Sequence, residues 1–115
     1  MSQRIRLLLY PYNLAIQDSY DCIAKSQNGS SLKGNTNDLH FYSFCINGYY
    51  DYRNVAIALA LVSKGESIIE VGANIGTETV YYSDIVGSHG NVYAFEPFPP
   101  NFSRLLVLRN LSINN

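Results

Sequence analysis

The chain has 115 residues, 47% of them hydrophobic and 15% charged, with a formal net charge of -1. That is the composition of one folded domain and excludes a disordered chain. It also excludes a strongly basic nucleic-acid surface and a polybasic membrane patch, so neither nucleic acid nor membrane is an expected partner.

The N-terminal "RIRLLLY", residues 4–10, reads equally as a strand or a helical turn. Leu7–Leu9 is too short for a signal-peptide core and Pro11 follows it, so the expected location is cytoplasmic. No run approaches the roughly 20 apolar residues of a membrane span. "LAIQDSYDCIAKS", residues 14–26, places Leu14, Ile16, Tyr20, Ile23 and Ala24 at spacings that suit a helix. Residues 26–38, "SQNGSSLKGNTND", are rich in Gly, Ser and Asn and read as a loop. The chain is expected to divide there, into an N-terminal extension with its polar loop, 1–38, and a more regular unit, 39–115. The two cysteines, Cys22 and Cys45, fit no metal or redox spacing and read as free or buried thiols, with a single disulfide left open. The sequons at Asn28, Asn101 and Asn110 read as chance matches without an export signal.

Beyond the loop, the aromatic "LHFYSFCI", residues 39–46, predicts a strand. "DYRNVAIALALVS", residues 51–63, predicts a helix capped by Asp51 and stopped by Gly65. "SIIEV" is the apolar run of a strand buried on both faces. "TETVYYSDIV" predicts a helix with Val80, Tyr81, Ile85 and Val86 on one side. "NVYAFE" predicts a second strand, and "PFPPNFSRLLVLRN" a further helix with Asn101 as its cap. The alternation from residue 51 onward predicts an α/β fold with a parallel crossover.

The chemistry concentrates between the two strands. Gly72 and Gly76 follow "IIEV", with Asn74 midway. Glycines at a strand-to-helix turn permit positive φ and let a ligand approach bare backbone, next to the unpaired N–H groups of a helix start. Glu96 ends the next strand, twenty residues beyond Gly76, where a carboxylate can accept both hydroxyls of a ribose. The dinucleotide fingerprint registered on Gly72 asks for glycine at 74 and 77; the chain has Asn74 and Thr77. Glu70, just before the turn, would repel a diphosphate but suits a cationic amino-acid end. S-adenosylmethionine has a sulfonium, an ammonium and a ribose, and no phosphate.

"EVGANIGTET" followed by "VYAFEPFPPNFSRLLVLRN" resembles the FkbM-type methyltransferases, and "NGYYDYRNVAIALALVSKGES" is similar to the segment leading into them. The likeness covers roughly residues 39–115. It implies a Rossmann-like methyltransferase fold, here incomplete: the first strand–helix–strand–helix unit with an N-terminal α/β extension, lacking the half that supplies the acceptor pocket. It implies S-adenosyl-L-methionine as cofactor and a hydroxyl acceptor, small-molecule or glycan-type. By position the cofactor residues would be Glu70 for the methionine amino group, Gly72, Ala73, Asn74 and Gly76 for backbone contact, and Glu96 for the ribose. Pro97 and Phe98 would wall the adenine, and Thr77 would cap the helix or bond the ligand. No catalytic residue and no metal site is implied; methyl transfer needs in-line positioning and exclusion of water.

Simpler readings stand beside these. The glycines could serve close packing alone, Asp51 capping alone, and His40 and His89 read as surface or satisfied residues. Tyr49, Tyr50 and Tyr52 read as core or surface aromatics, or as lining a pocket. Arg104 and Arg109 read as covering a solvated helix face. Two rival functions remain: a non-catalytic remnant or interaction module associating through exposed sheet edges, and a fragment of a nicotinamide-dependent oxidoreductase, which Thr77 and Glu70 disfavour.

Overall fold

A computed structural model describes residues 10–113, with side chains described through Val107. In chain order the elements are α1 (Tyr12–Gln17), β1 (Asp21–Lys25), β2 (Ser31–Asn35), α2 (Leu39–Asn47), α3 (Tyr52–Leu61), β3 (Ser67–Val71), α4 (Thr79–Val86), β4 (Asn91–Phe95) and α5 (Pro99–Ile113). Among the described residues the strands form two separate sheets: an antiparallel hairpin, β1–β2, and a parallel pair, β3–β4. The result is a small α/β fold. No described helix is long and apolar enough to cross a membrane. The expectation for residues 4–10 lies outside the described residues except at Tyr10.

From residue 51 onward the elements follow the predicted order. Val80 and Val86 on α4 are buried, with Tyr81 and Ile85 half-buried beside them. Parallel strands need a crossover connection, and α4 supplies it, packing against both β3 and β4. Glu70 pairs with Ala94 and Val71 with Phe95 in the parallel register.

The sheet differs from expectation in one respect. "SIIEV" reads as buried on both faces, yet Ile69 and Val71 are 70% and 84% exposed, as are Tyr93 at 52% and Phe95 at 57% on the paired strand. Only the face carrying Ile68, Glu70, Val92 and Ala94 is covered, because α4 lies on that side and no described element lies on the other.

Three N-terminal expectations are corrected. The helix in residues 14–26 is confined to α1, and Asp21–Lys25 is instead a strand. Ser31–Asn35 within the polar loop is strand β2, paired residue for residue with β1 from Asp21 with Asn35 to Lys25 with Ser31. The turn residues Asn28 and Gly29 form the hairpin tip. "LHFYSFCI" is helix α2 rather than a strand. Its start is set by Asp38, whose carboxylate accepts from the backbone N–H of His40 and Phe41 at 2.9 and 3.2 Å. Capped helix starts of this kind stabilise by about 1 kcal/mol, and here they outweigh the β-propensity of the aromatic run. Phe41 and Phe44, three apart, point to one side of α2; Tyr42 and Ile46, four apart, point to another.

Those two sides explain the core. Phe41 and Phe44 join Ala24, Leu32, Ala73, Ile75, Val80 and Leu105 in one buried cluster. Tyr42 and Ile46 pack with Ala15 of α1. The hairpin, α2, the glycine turn, α4 and α5 therefore share one interior.

Several smaller assignments change. Asp51 precedes α3 but makes no side-chain cap bond; it sits at φ 47° and pairs with Arg53 at 3.0 Å. Helix α3 ends at Leu61, before Gly65. Asn101 lies inside α5 rather than capping it. Arg104 does not merely cover a solvated face: it reaches Asp38 at 3.4 Å, tying α5 to the start of α2. Arg109 and the side chain of Asn110 fall outside the described side chains.

Asp38→Ala is expected to cost about 1–2 kcal/mol through the lost cap. The half-exposed Arg104 pair adds little. Thermal unfolding followed by circular dichroism checks this, with Asp38→Asn, which keeps the cap acceptor, losing markedly less.

Candidate functional site

Strand β3 ends where the ladder passes into the turn. The N–H groups of Gly72 and Ala73 both donate to the carbonyl of Phe95, at 2.8 and 3.1 Å, and Gly76 N–H donates to Ala73 at 2.8 Å. Left-handed residues then alternate with ordinary ones: Gly72 at φ 84°, Asn74 at φ 51° and Gly76 at φ 94°. The intervening Ala73 and Ile75 are fully buried in the main core. This alternation anchors the turn from beneath and leaves Gly72 outward. A Cβ built on Gly72 would meet no atom within 4 Å. Close packing therefore does not demand glycine at 72; its positive φ and the open space above it do. Asparagine is the best-tolerated side chain at the left-handed position between.

Glu96 holds the turn directly. One carboxylate oxygen accepts the Asn74 N–H at 2.8 Å and the other accepts the Phe98 N–H at 2.8 Å. Each oxygen keeps a further lone pair. Glu70 lies on the covered sheet face with Ala94, and Glu96 follows directly on the last residue of β4. The two acids thus lie at the carboxyl ends of the paired strands, one on each side of the turn in sequence. Glu70 accepts the Thr79 hydroxyl at 2.7 Å, at the start of α4. Burial pushes its carboxyl up to about 7, against the lowering effect of the Thr79 bond, and Glu78 adds to the rise.

Thr77 neither caps α4 nor faces outward. It is fully buried, two residues ahead of the helix, and its hydroxyl donates to Glu78 at 3.2 Å. Glu78 is further tied to α3 by Asn54 at 3.1 Å. Pro97 and Phe98 are exposed on the loop after β4, with Phe98 at the entry to α5.

The structure adds residues that sequence reasoning left aside. Asn74 Oδ1 accepts from Asn101 of α5 at 2.7 Å, and Asn74 Nδ2 bonds His40 Nδ1 of α2. The Asn74 side chain is thus held between α5 and α2. His40 stacks on Tyr50, centroids 4.2 Å apart at 18°. His40 is thus a satisfied residue as expected, but satisfied by the turn itself. The signal that could have found it was Asp38 as a helix cap. With α2 read as a strand, His40 had no route to residue 74. His89 is exposed and bonds Ser88. Among the described residues no group of three or more His, Cys, Asp or Glu is placed to hold a metal.

Comparison with protein-family models finds no match for the chain, and comparison with the curated proteins finds no significant match.

Proposed function

We propose that this chain is the cofactor-binding part of an S-adenosylmethionine-dependent methyltransferase acting on a hydroxyl, in a Rossmann-like arrangement of the FkbM type. The observation that carries this reading is the left-handed turn at Gly72–Gly76, open above Gly72, with a carboxylate at the end of each strand of a parallel pair. Ligands of open α/β sheets bind at the carboxyl ends of such strands. The residues fit the group: Gly72 is bare, Glu70 is a half-buried carboxyl suited to an ammonium, and Glu96 has free lone pairs beside its two backbone bonds.

In this reading Glu70 holds the amino end, Gly72 and Asn74 give backbone contact, and Glu96 takes ribose hydroxyls while keeping the turn closed. Ala73 and Thr77, both buried, support the turn from below. Phe98 offers an exposed ring for adenine. The cofactor supplies an electrophilic methyl on sulfonium; the chain orients it and shields it from water. An oxygen nucleophile is the acceptor, and no residue of this chain is assigned as its base. The bare apolar face of β3–β4 favours a second reading, in which the chain is an interaction module without catalysis.

Titration calorimetry separates the two. S-adenosylhomocysteine should bind and NAD should not. The 2′-deoxy analogue should bind roughly 10- to 100-fold more weakly, the worth of a hydrogen bond to a charged group. Glu96→Ala should remove binding altogether, because it also frees the Asn74 and Phe98 N–H groups. Equal affinity for the ribo and deoxy ligands would remove Glu96 from the ribose, and absence of any binding would leave the interaction module.

A further inference from the structure

The two cysteines stand apart from the glycine turn, and the inference drawn from them is independent of the functional reading. Cys22 lies on β1 opposite Gly34 of β2. Cys22, Ala24, Leu32 and Gly34 share the hairpin face that looks onto α2. Gly34 lets the helix come close: a Cβ there would lie 2.4 Å from the Phe41 ring. Cys45 is four residues beyond Phe41, one turn along the same side of α2. The close approach made by Gly34 and Phe41 therefore brings Cys45 down onto Cys22.

Three observations agree. Both cysteines are free and half-buried, and both pack against the main core. Both line one cavity of 340 Å³ that also touches Tyr20, Thr36 and Tyr42. Cys22 stands close enough to Cys45 to help hold its thiol protonated.

We propose that Cys22 and Cys45 are a redox-active dithiol which a hydroperoxide entering this cavity converts to an intramolecular disulfide stapling β1 to α2.

The order of events follows from the surroundings. Burial, and then the neighbouring Cys22, push the Cys45 thiol up to about 12, so Cys45 is the poorer first nucleophile. The Cys22 thiolate attacks the peroxide; the O–O bond breaks, Cys22 becomes a sulfenic acid, and the departing alkoxide or hydroxide takes a proton. Cys45 then loses its proton, and its sulfur displaces hydroxide from Cys22 sulfur, which leaves as water. The protein loses two electrons and two protons; the hydroperoxide is reduced to alcohol or water. The bond would join a hairpin and a helix already in contact.

The test is hydrogen peroxide treatment of the full 115-residue chain, followed by mass spectrometry without reductant. Cleavage after Lys and Arg places Cys22 in the peptide 7–25 and Cys45 in the peptide 34–53. The expected product is the intact monomer lighter by two hydrogens, with these peptides linked and separated again by a thiol reductant. Its melting temperature should rise by roughly 5–15 °C over the reduced chain, as a closed loop of this size constrains the unfolded state. Cys22→Ser and Cys45→Ser should each block the link. Oxygen added to separate peptides, disulfide-linked dimers as the main product, or thiols that survive peroxide and still react with a maleimide after unfolding would each overturn the proposal. The wild-type peptide map decides the matter even if a serine variant folds poorly.

Discussion

S-adenosylhomocysteine affinity is expected to tighten about tenfold per pH unit from about pH 5 to about 7 and then to level off. The reason is Glu70. Its half-buried carboxyl holds its proton up to about 7, whereas an ammonium ligand needs the carboxylate. Below that pH, binding must first remove one proton; above it, nothing more is gained. The same shift has a sign for folding. An exposed glutamate titrates near 4.3, so between there and about 7 the folded chain holds a proton that the unfolded chain has released. Stability contributed by Glu70 is therefore fully present below the unfolded value and is lost as pH rises through the folded one. Glu70→Gln keeps an acceptor for Thr79 and removes the charge. It should flatten the affinity profile, weaken binding at pH 8 at least tenfold, and stabilise the free protein at pH 8 while leaving it nearly unchanged near pH 4. Asp84 is also raised by burial, opposed by a Ser30 bond, so the Glu70 contribution is read as the difference between wild type and variant. An affinity that ignores both pH and Glu70→Gln would detach Glu70 from the ligand.

Gly34→Val is expected to abolish cooperative folding, and Gly34→Ala to cost about 2–4 kcal/mol, a large part of the stability of a chain this size. A Cβ at 34 would meet three ring atoms of Phe41 at 2.4, 2.5 and 2.9 Å. That ring has no exposed surface and is held by Leu32, Phe44 and the rest of the core. It can move only by lifting α2 from the hairpin. Helix α2 carries His40, bonded to Asn74, so the glycine turn should loosen with it. Urea titration with ligand calorimetry on the same samples would read both effects. A double-mutant cycle with Phe41→Leu should recover part of the Gly34→Ala loss, since the smaller side chain yields the space. Gly29→Ala is the control: its φ of 92° strains any side chain, but nothing lies within 4 Å, so about 1 kcal/mol is expected. Equal effects at 34 and 29 would mean that Phe41 does not press on the hairpin.

The elements from Tyr52 to α5 were legible because each carries its own signal: apolar residues at helical spacing in "VYYSDIV", short β-rich runs in "SIIEV" and "NVYAF", and glycines between them. The turn was legible for the same reason, since positive φ at Gly72, Asn74 and Gly76 is a local demand that few residues meet. The N-terminal part misled because its local signals compete. Asp38 caps a helix made of strand-favouring aromatics, and the packing of Phe41 and Phe44 on the hairpin tips that balance. "SLKGN" has little strand character alone and becomes a strand only by pairing with "DCIAK".

What the residues determined by themselves was the parallel strand pair, the left-handed turn and the two acids beside it, all consequences of backbone sterics and short-range periodicity. Tertiary structure alone decided that α2 is a helix and that its His40 reaches Asn74. It also decided that Glu96 closes the turn, that Cys22 meets Cys45, and that one face of β3–β4 stands bare. Each depends on groups far apart in the chain, whose meeting is set by which surfaces bury one another.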